Sequence, residues 1–331
     1  MAERMADLEV PEGFPSNQAF VQILDPATGT GTFPVEVIDL IYKTMTSKWY
    51  SEGNREAQVI ELWNDYVPEH LLPRLHGYEL MMAPYAIAHM KIGLKLYETG
   101  YRFESDERSR IYLTNALDSA QDFSGTLAFA IPALANEAKA VNMIKQDQRF
   151  TVVIGNPPYS HWSGNMTDQH RALVEDYKYV DGQRIRERGA VQFEINIQDD
   201  YVKFIRIAEM HIQRSGFGIS GLITNNAYLD SATFRGMRSV LFRSFSSIQI
   251  LNLHGSVKAM SQRSLSTGDQ NVFDIQQGVC INISCLRFHT NNTLVEYKDI
   301  FGSRKEKYDL LSSSIEPVSY THLTLPTTTM V

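Results

Sequence analysis

Short apolar runs alternate with stretches of helical period along most of this chain. Runs of strand character fall at 20–24 (FVQIL), 76–80 (HGYEL), 110–117 (RIYLTNAL), 151–155 (TVVIG), 218–224 (GISGLIT), 248–253 (IQILNL) and 279–288 (VCINISCLRF). Between the first five lie helical patterns such as 34–45 (PVEVIDLIYKTM), 83–98 (APYAIAHMKIGLKLYE) and 199–213 (DDYVKFIRIAEMHIQ), with extra helix inserted over 42–75. Strand alternating with helix predicts an open α/β sheet, largely parallel, with helices on both faces. The last two strands break the alternation, so the seventh and final strand is expected to run antiparallel. Ligands of such sheets sit beyond the carboxyl ends of the strands, which makes the residues just after each strand the ones to read.

Two of these turns carry chemistry. After the first strand comes Asp25-Pro26-Ala27-Thr28-Gly29-Thr30-Gly31-Thr32-Phe33, then a helix with Pro34 in its first turn. Gly29 and Gly31 permit a tight turn and close approach of backbone to a ligand. The pattern lacks the third glycine of a dinucleotide fingerprint and the lysine of a phosphate loop. An acidic residue at the strand end suits an amino group better than a pyrophosphate. Glu79, ending the second strand, is placed to take both hydroxyls of a ribose, or else simply starts the next helix at the surface. After the third strand, Asn115 or Asp118 stands where an adenine ring would be met, or serves the turn itself.

The fourth strand leaves through Asn156-Pro157-Pro158-Tyr159. A residue before proline is held extended, so the Asn156 side-chain oxygen and the Pro157 carbonyl can converge as two acceptors with no neighbouring donor to compete. An exocyclic amino group, with two N–H donors, fits that pair, and holding both hydrogens would aim its lone pair at an electrophile. Tyr159 adds a flat face on which a base can stack.

Composition changes this picture only slightly. The 331 residues are 43% hydrophobic and 21% charged, ordinary for a globular protein, and no apolar run reaches the ~18 residues of a membrane span. The acidic N-terminus is no signal peptide, and Cys280 and Cys285, an odd spacing apart in one strand, point to opposite faces; a cytoplasmic setting without disulfide or metal is expected. The net charge of −7 argues mildly against nucleic acid, although Arg184, Arg186 and Arg188, and Arg235, Arg238 and Arg243, form local basic clusters. His76, His89 and His254 are read as structural.

DPATGTGTF, GYELMMAPYAIAHMKI and IGNPPY, in this order, resemble motifs I, II and IV of adenine-N6 DNA methyltransferases that use S-adenosylmethionine. With LTNALD and NVFDIQQGVCINISCLRF, the wording is similar to the methyltransferase part of single-polypeptide type ISP restriction–modification enzymes. The resemblance covers roughly residues 20 to 300. It implies a Rossmann-like class I methyltransferase fold and a cofactor site of Asp25, Pro26, Ala27, Thr28, Gly29, Gly31, Phe33, Glu79 and Asn115. It implies a catalytic loop of Asn156, Pro157, Pro158 and Tyr159, with Phe273 on the other side of a flipped adenine. Double-stranded DNA would be the partner, and no general base is required because the amino group becomes acidic once methylated.

The resemblance further implies a shortened lead-in at 1–19, a catalytic domain at 20–300 and the start of a target-recognition region at 301–317. Fused nuclease and helicase domains are expected elsewhere in a longer parent, since no phosphate-loop motif occurs here. The stretch VSYTHLTLPT, opening 318–331, resembles a translated sequencing adapter and is expected to be foreign to the fold. Release-factor glutamine methyltransferases, ribosomal-RNA base methyltransferases and an inactive cofactor-binding remnant share the Asn-Pro-Pro-Tyr signature and stay open on sequence alone.

Overall fold

The computed structural model describes residues 18–120, 132–159, 164–186, 190–256, 268–287 and 293–313. They form two compact units, one ending at Gly155 and the other beginning at Asn156. Arg188, most of the lead-in and the stretch 318–331 lie outside the described residues.

The first unit holds strands β1 (Ile23–Asp25), β2 (Leu75–Glu79), β3 (Arg110–Leu113) and β4 (Val152–Gly155). All pair in parallel, in the order β4-β1-β2-β3. Their carboxyl ends therefore share one edge, where Asp25, Glu79 and Gly155 stand. Helix α1 (Thr32–Ser51) follows β1, α2 (Glu56–Tyr66) forms the insert, α3 (Met82–Glu98) follows β2, and α4 (Pro132–Asp147) precedes β4. On α3, Ala88, Ile92 and Leu96 recur every four residues and bury one stripe against Ile38 of α1 and Val59 and Trp63 of α2. Trp63 donates its indole N–H to Thr99 Oγ1 at 2.9 Å, which ties the insert to the end of α3. Trp63→Ala would cost about 3–5 kcal/mol through the cavity it leaves.

The second unit opens with α5 (Asp168–Leu173), followed by a two-residue hairpin of β5 (Tyr179–Val180) and β6 (Gln183–Arg184). Asp181 and Gly182 both have positive φ, 50° and 76°, the backbone that an Asp-Gly hairpin turn requires. Then come α6 (Ala190–Ile197), α7 (Asp200–Ser215), β7 (Gly218–Asn225), α8 (Arg235–Ser244), β8 (Ser247–His254), β9 (Val279–Leu286), β10 (Leu294–Asp299) and α9 (Arg304–Ser312). Strand β9 is antiparallel to both β7 and β8, as expected of the seventh predicted strand. It is not the last. An eighth, β10, pairs in parallel with β8 along Leu294–Asp299. Its sequence, LVEYKD, alternates apolar with charged residues, the composition of a protected edge strand, and so gives little apolar signal.

All seven strands read from the pattern are present, and the class is mixed α/β, with wholly parallel pairing in the first unit. The third is shorter than predicted, because Thr114 to Asp118 form a turn. Cys280 and Cys285 are both free thiols. No described helix is long and apolar enough to cross a membrane.

Candidate active site

In the first unit, the loop after β1 wraps an acid that is almost fully buried. Asp25 is 1% exposed; its Oδ1 accepts the Ala27 N–H at 3.1 Å, while no group among the described residues donates to Oδ2. Burial pushes its carboxyl up to about 7, partly offset by the Ala27 N–H and reinforced by the Glu79 charge. A Cβ on Gly155 would lie 2.8 Å from Oδ1, so the end of β4 must be glycine for this carboxylate to fit.

The rest of the loop is secured by short bonds. Thr28 Oγ1 donates to the Asp25 carbonyl at 3.1 Å and its N–H to the Tyr78 carbonyl at 2.9 Å. Gly31, at φ 81°, precedes α1, and a Cβ there would meet the Ala88 backbone of α3 at 3.1 Å. Pro26 is buried, and Ala27 and Phe33 are half-buried. Glu79 accepts the Gly29 N–H on Oε2 and the Met81 N–H on Oε1, each at 2.8 Å. Each oxygen keeps a second lone pair for a hydroxyl. Glu79 is thus a clamp of the loop, a role that neither sequence reading of it, as ribose acceptor or as surface residue starting the next helix, contained.

The turn after β3 adjoins the same acid through the Thr114 N–H, which donates to the Glu79 carbonyl at 2.8 Å. Asn115 Oδ1 accepts the Leu117 N–H at 3.1 Å, and its Nδ2 donates to Asp118 Oδ1 at 3.3 Å. The clamp on this turn was not foreseen. Lys145 of α4 donates to Thr114 Oγ1 (3.1 Å), the Asn115 carbonyl (2.7 Å) and the Asp118 carbonyl (3.0 Å). Its ammonium lies 5.5 Å from the Tyr78 ring centre. Burial lowers its pKa to about 8, with Asp118 opposing, so the charged form that suits three acceptors is held at neutral pH. A lysine on an amphipathic helix ordinarily reads as solvated, and no local signal marks this one.

In the second unit, Asn156 follows β4 directly. Pro157 is buried, Pro158 exposed and Tyr159 half-buried. Asn156 Oδ1 and the Tyr159 hydroxyl are both buried, and no described residue bonds to either. Burial raises the Tyr159 phenol well above its usual range, so it stays neutral. The Tyr159 and Phe273 rings stand 6.3 Å apart at 55°, both packed on the cluster of Leu253, Val272, Val279 and Ile300. Asn156, Pro157, Pro158 and Tyr159 are thus consecutive members of one loop, and Phe273 comes to it from more than a hundred residues away.

The remaining candidates divide. Arg184 and Arg186 are exposed, whereas Arg238 donates to the Tyr228 and Ser231 carbonyls at 2.8 and 2.7 Å and belongs to the framework. His76 is buried and pushed down to about 3 by desolvation. His89 reaches the Ile111 carbonyl at 3.2 Å, and His254 bonds Asp299 at 2.6 Å. Among the described residues no group of three or more His, Cys, Asp or Glu could hold a metal ion.

The sequence model of the Eco57I restriction-modification methylase family matches residues 75–259. Among solved structures, the chain is similar to the ATP-dependent Type ISP restriction-modification enzyme LlaBIII bound to DNA. The identity is 25% and the TM-score 0.70, over 90% of this chain and 19% of that one. It is similar to DrdV in its DNA complex at 25% identity and TM-score 0.63, over 89% and 26% of the two chains. A nuclease-deletion mutant of the Type ISP enzyme LlaGI in complex with a DNA substrate mimic shares the fold at 24% identity and TM-score 0.64, over 88% and 22%. The chain spans between a fifth and about a quarter of the length of these proteins. No curated protein matches it.

Proposed function

This chain belongs to the Eco57I restriction-modification methylase family, and from that premise we propose that it transfers a methyl group from S-adenosylmethionine to the N6 amino group of an adenine flipped out of duplex DNA. The observation that carries the reading is the Asn156 amide oxygen, buried and with no donor among the described residues. A buried acceptor without a partner costs roughly 1–3 kcal/mol, a cost that a ligand donor removes. The target adenine's amino group has the two hydrogens that Asn156 Oδ1 and the Pro157 carbonyl call for.

The residues of the first unit fit the cofactor. Asp25 Oδ2 lacks a donor and suits the methionine ammonium, Gly29 and Gly31 let backbone approach, and Glu79 has lone pairs left for ribose hydroxyls. S-adenosylmethionine supplies a methyl on a positively charged sulfur. Asn156 and Pro157 would hold the amino hydrogens and so keep the nitrogen lone pair out of the ring and available to that methyl. Held there, the cofactor would supply an electrophilic methyl: the amino nitrogen would gain that carbon, sulfur would keep the electron pair of the broken bond, and the extra proton would pass to solvent. Orientation does most of this work. Tyr159 and Phe273 would stack on the two faces of the base and offset the few kcal/mol of unstacking by ~1–3 kcal/mol each.

That two similar proteins were solved bound to DNA supports duplex DNA as the substrate. The test offers methyl-labelled cofactor with duplex DNA, ribosomal RNA and release factor in separate reactions. Label in DNA alone is expected; label in either of the others, with none in DNA, overturns the reading.

A further inference from the structure

The wall that Phe273 forms is fixed from an unexpected quarter. Residues 268–277 contain no helix or strand, yet three consecutive carbonyls just before Phe273 are each held by a different side chain of α9. Lys307 Nζ donates to the Gln270 carbonyl at 2.6 Å, Arg304 Nε to the Asn271 carbonyl at 2.9 Å, and the Tyr308 hydroxyl to the Val272 carbonyl at 2.6 Å. Positions 304, 307 and 308 share one face of a helix. From within the segment, Asn271 Oδ1 accepts the Phe273 N–H at 2.9 Å, and Asn271 Nδ2 faces the Gly255, Ile275 and Gln277 carbonyls.

Lys307 is the centre of the knot. It is fully buried, pairs with Asp269 at 2.7 Å and also donates to the Leu253 carbonyl at 2.6 Å, at the end of β8. Asp269 in turn accepts the Gly255 and Gly302 N–H groups at 2.9 and 3.1 Å. A buried ion pair is a poor way to gain stability, since apolar side chains of similar volume often do as well. Here it sets the direction of a segment that has no backbone ladder of its own. The helix itself is well started, with Ser303 and Glu306 bonded reciprocally at its N-terminus.

We propose that Arg304, Lys307 and Tyr308 of α9 are positioning residues for the transfer: they hold the backbone of 270–272 so that Phe273 stands as the fixed face against which the target base stacks. The inference rests on the base-flipping reading above and extends the base site to residues beyond the 75–259 span of the family match. None of the three touches the base.

The test uses the whole chain and a short duplex with 2-aminopurine opposite an abasic site, where the base is already unpaired. Base capture is titrated by fluorescence, and S-adenosylmethionine binding is measured by calorimetry on the same preparations. Tyr308→Phe removes one hydroxyl from a side chain that is half in solvent, and Arg304→Met removes the bond to the Asn271 carbonyl together with an exposed ion pair to Asp274; neither empties the core. Together they are expected to weaken base capture about three- to tenfold, in the direction of Phe273→Ala, while cofactor affinity stays within twofold. Lys307→Met with Asp269→Asn, which avoids leaving one buried charge alone, should act in the same direction. Capture unchanged in the Tyr308→Phe/Arg304→Met variant, while Phe273→Ala loses it, overturns the inference alone. Capture and cofactor affinity falling together would show general loosening and overturn it too. No capture by the unaltered chain would bring down the base-flipping reading and this inference with it.

Discussion

The loops that follow β1 and β4, one in each unit, each leave a buried polar atom without a donor among the described residues, and they do so with opposite chemistry. In the first it is a carboxylate, Asp25, with the Glu79 charge nearby and its own pKa raised to about 7. In the second it is a carboxamide, Asn156, beside a phenol too buried to ionise. A titratable group suits a cation, because ionisation can be completed by the ligand. A neutral amide suits a neutral amine whose hydrogens must be held without protonating its nitrogen. Binding in the first unit is therefore expected to depend on pH, and base capture in the second to be indifferent to it. Their construction differs as well. The Asp25 loop is held by bonds within the turn and by β2, through the Tyr78 carbonyl and the Glu79 carboxylate, whereas the Phe273 wall has no strand beside it and is held by Asn271 and by side chains some thirty residues downstream.

The largest effect should come from Asn156→Ala. Methyl transfer is expected to fall by about two to three orders of magnitude, the scale seen when one preorganised polar contact to a reacting group is removed. Cofactor affinity, which the proposed function assigns to the other unit, should stay within twofold by calorimetry. Equal loss of both would mean that the two units do not divide the work in this way.

Next is Asp25→Asn. Hydrogen bonds to charged groups are worth about 1.5–3 kcal/mol, so affinity for S-adenosylmethionine should drop roughly ten- to hundredfold. The pH dependence sharpens this. Asp25 has its folded pKa raised from 3.8 to about 7, so its contribution to stability is full below 3.8 and is lost as pH rises through about 7. The ligand-free protein should thus lose stability over that window, while affinity for the cationic cofactor rises from pH 6 to pH 8. Thermal melting from pH 4 to pH 7 and calorimetry from pH 6 to pH 8 should show the two trends, and both should flatten in Asp25→Asn.

Smaller effects belong to the aromatic walls and the lysine clamp. Tyr159→Ala and Phe273→Ala should each weaken capture of a 2-aminopurine base by ~1–3 kcal/mol, equally at pH 6 and pH 8. A pH-dependent loss would erase the contrast between the units. Lys145→Met should weaken cofactor binding about three- to tenfold through the loosened turn at 114–118, leaving base capture unchanged.

How much could be read beforehand follows the same division. Asp25 to Gly31, and Asn156 to Tyr159, announce themselves because each is a compact turn directly after an apolar run, with glycine or proline setting its backbone. Phe273 could be placed only by resemblance, since nothing local distinguishes it from a core phenylalanine. Lys145 and the trio on α9 gave no sign, because their partners are backbone carbonyls, and any helix can carry a lysine, arginine or tyrosine in those places. Strand β10 was hidden by its own charges. The β5–β6 hairpin did leave a mark, the Asp181-Gly182 pair with positive φ at both positions, which a search for two-residue turns would have found.

The most direct measurement is nucleoside mass spectrometry of duplex DNA incubated with the protein and S-adenosylmethionine carrying a trideuterated methyl. The proposed reaction predicts deuterated N6-methyladenine with the unaltered protein and its loss with Asn156→Ala. A label found on cytosine instead, or one that persists undiminished in Asn156→Ala, would contradict it.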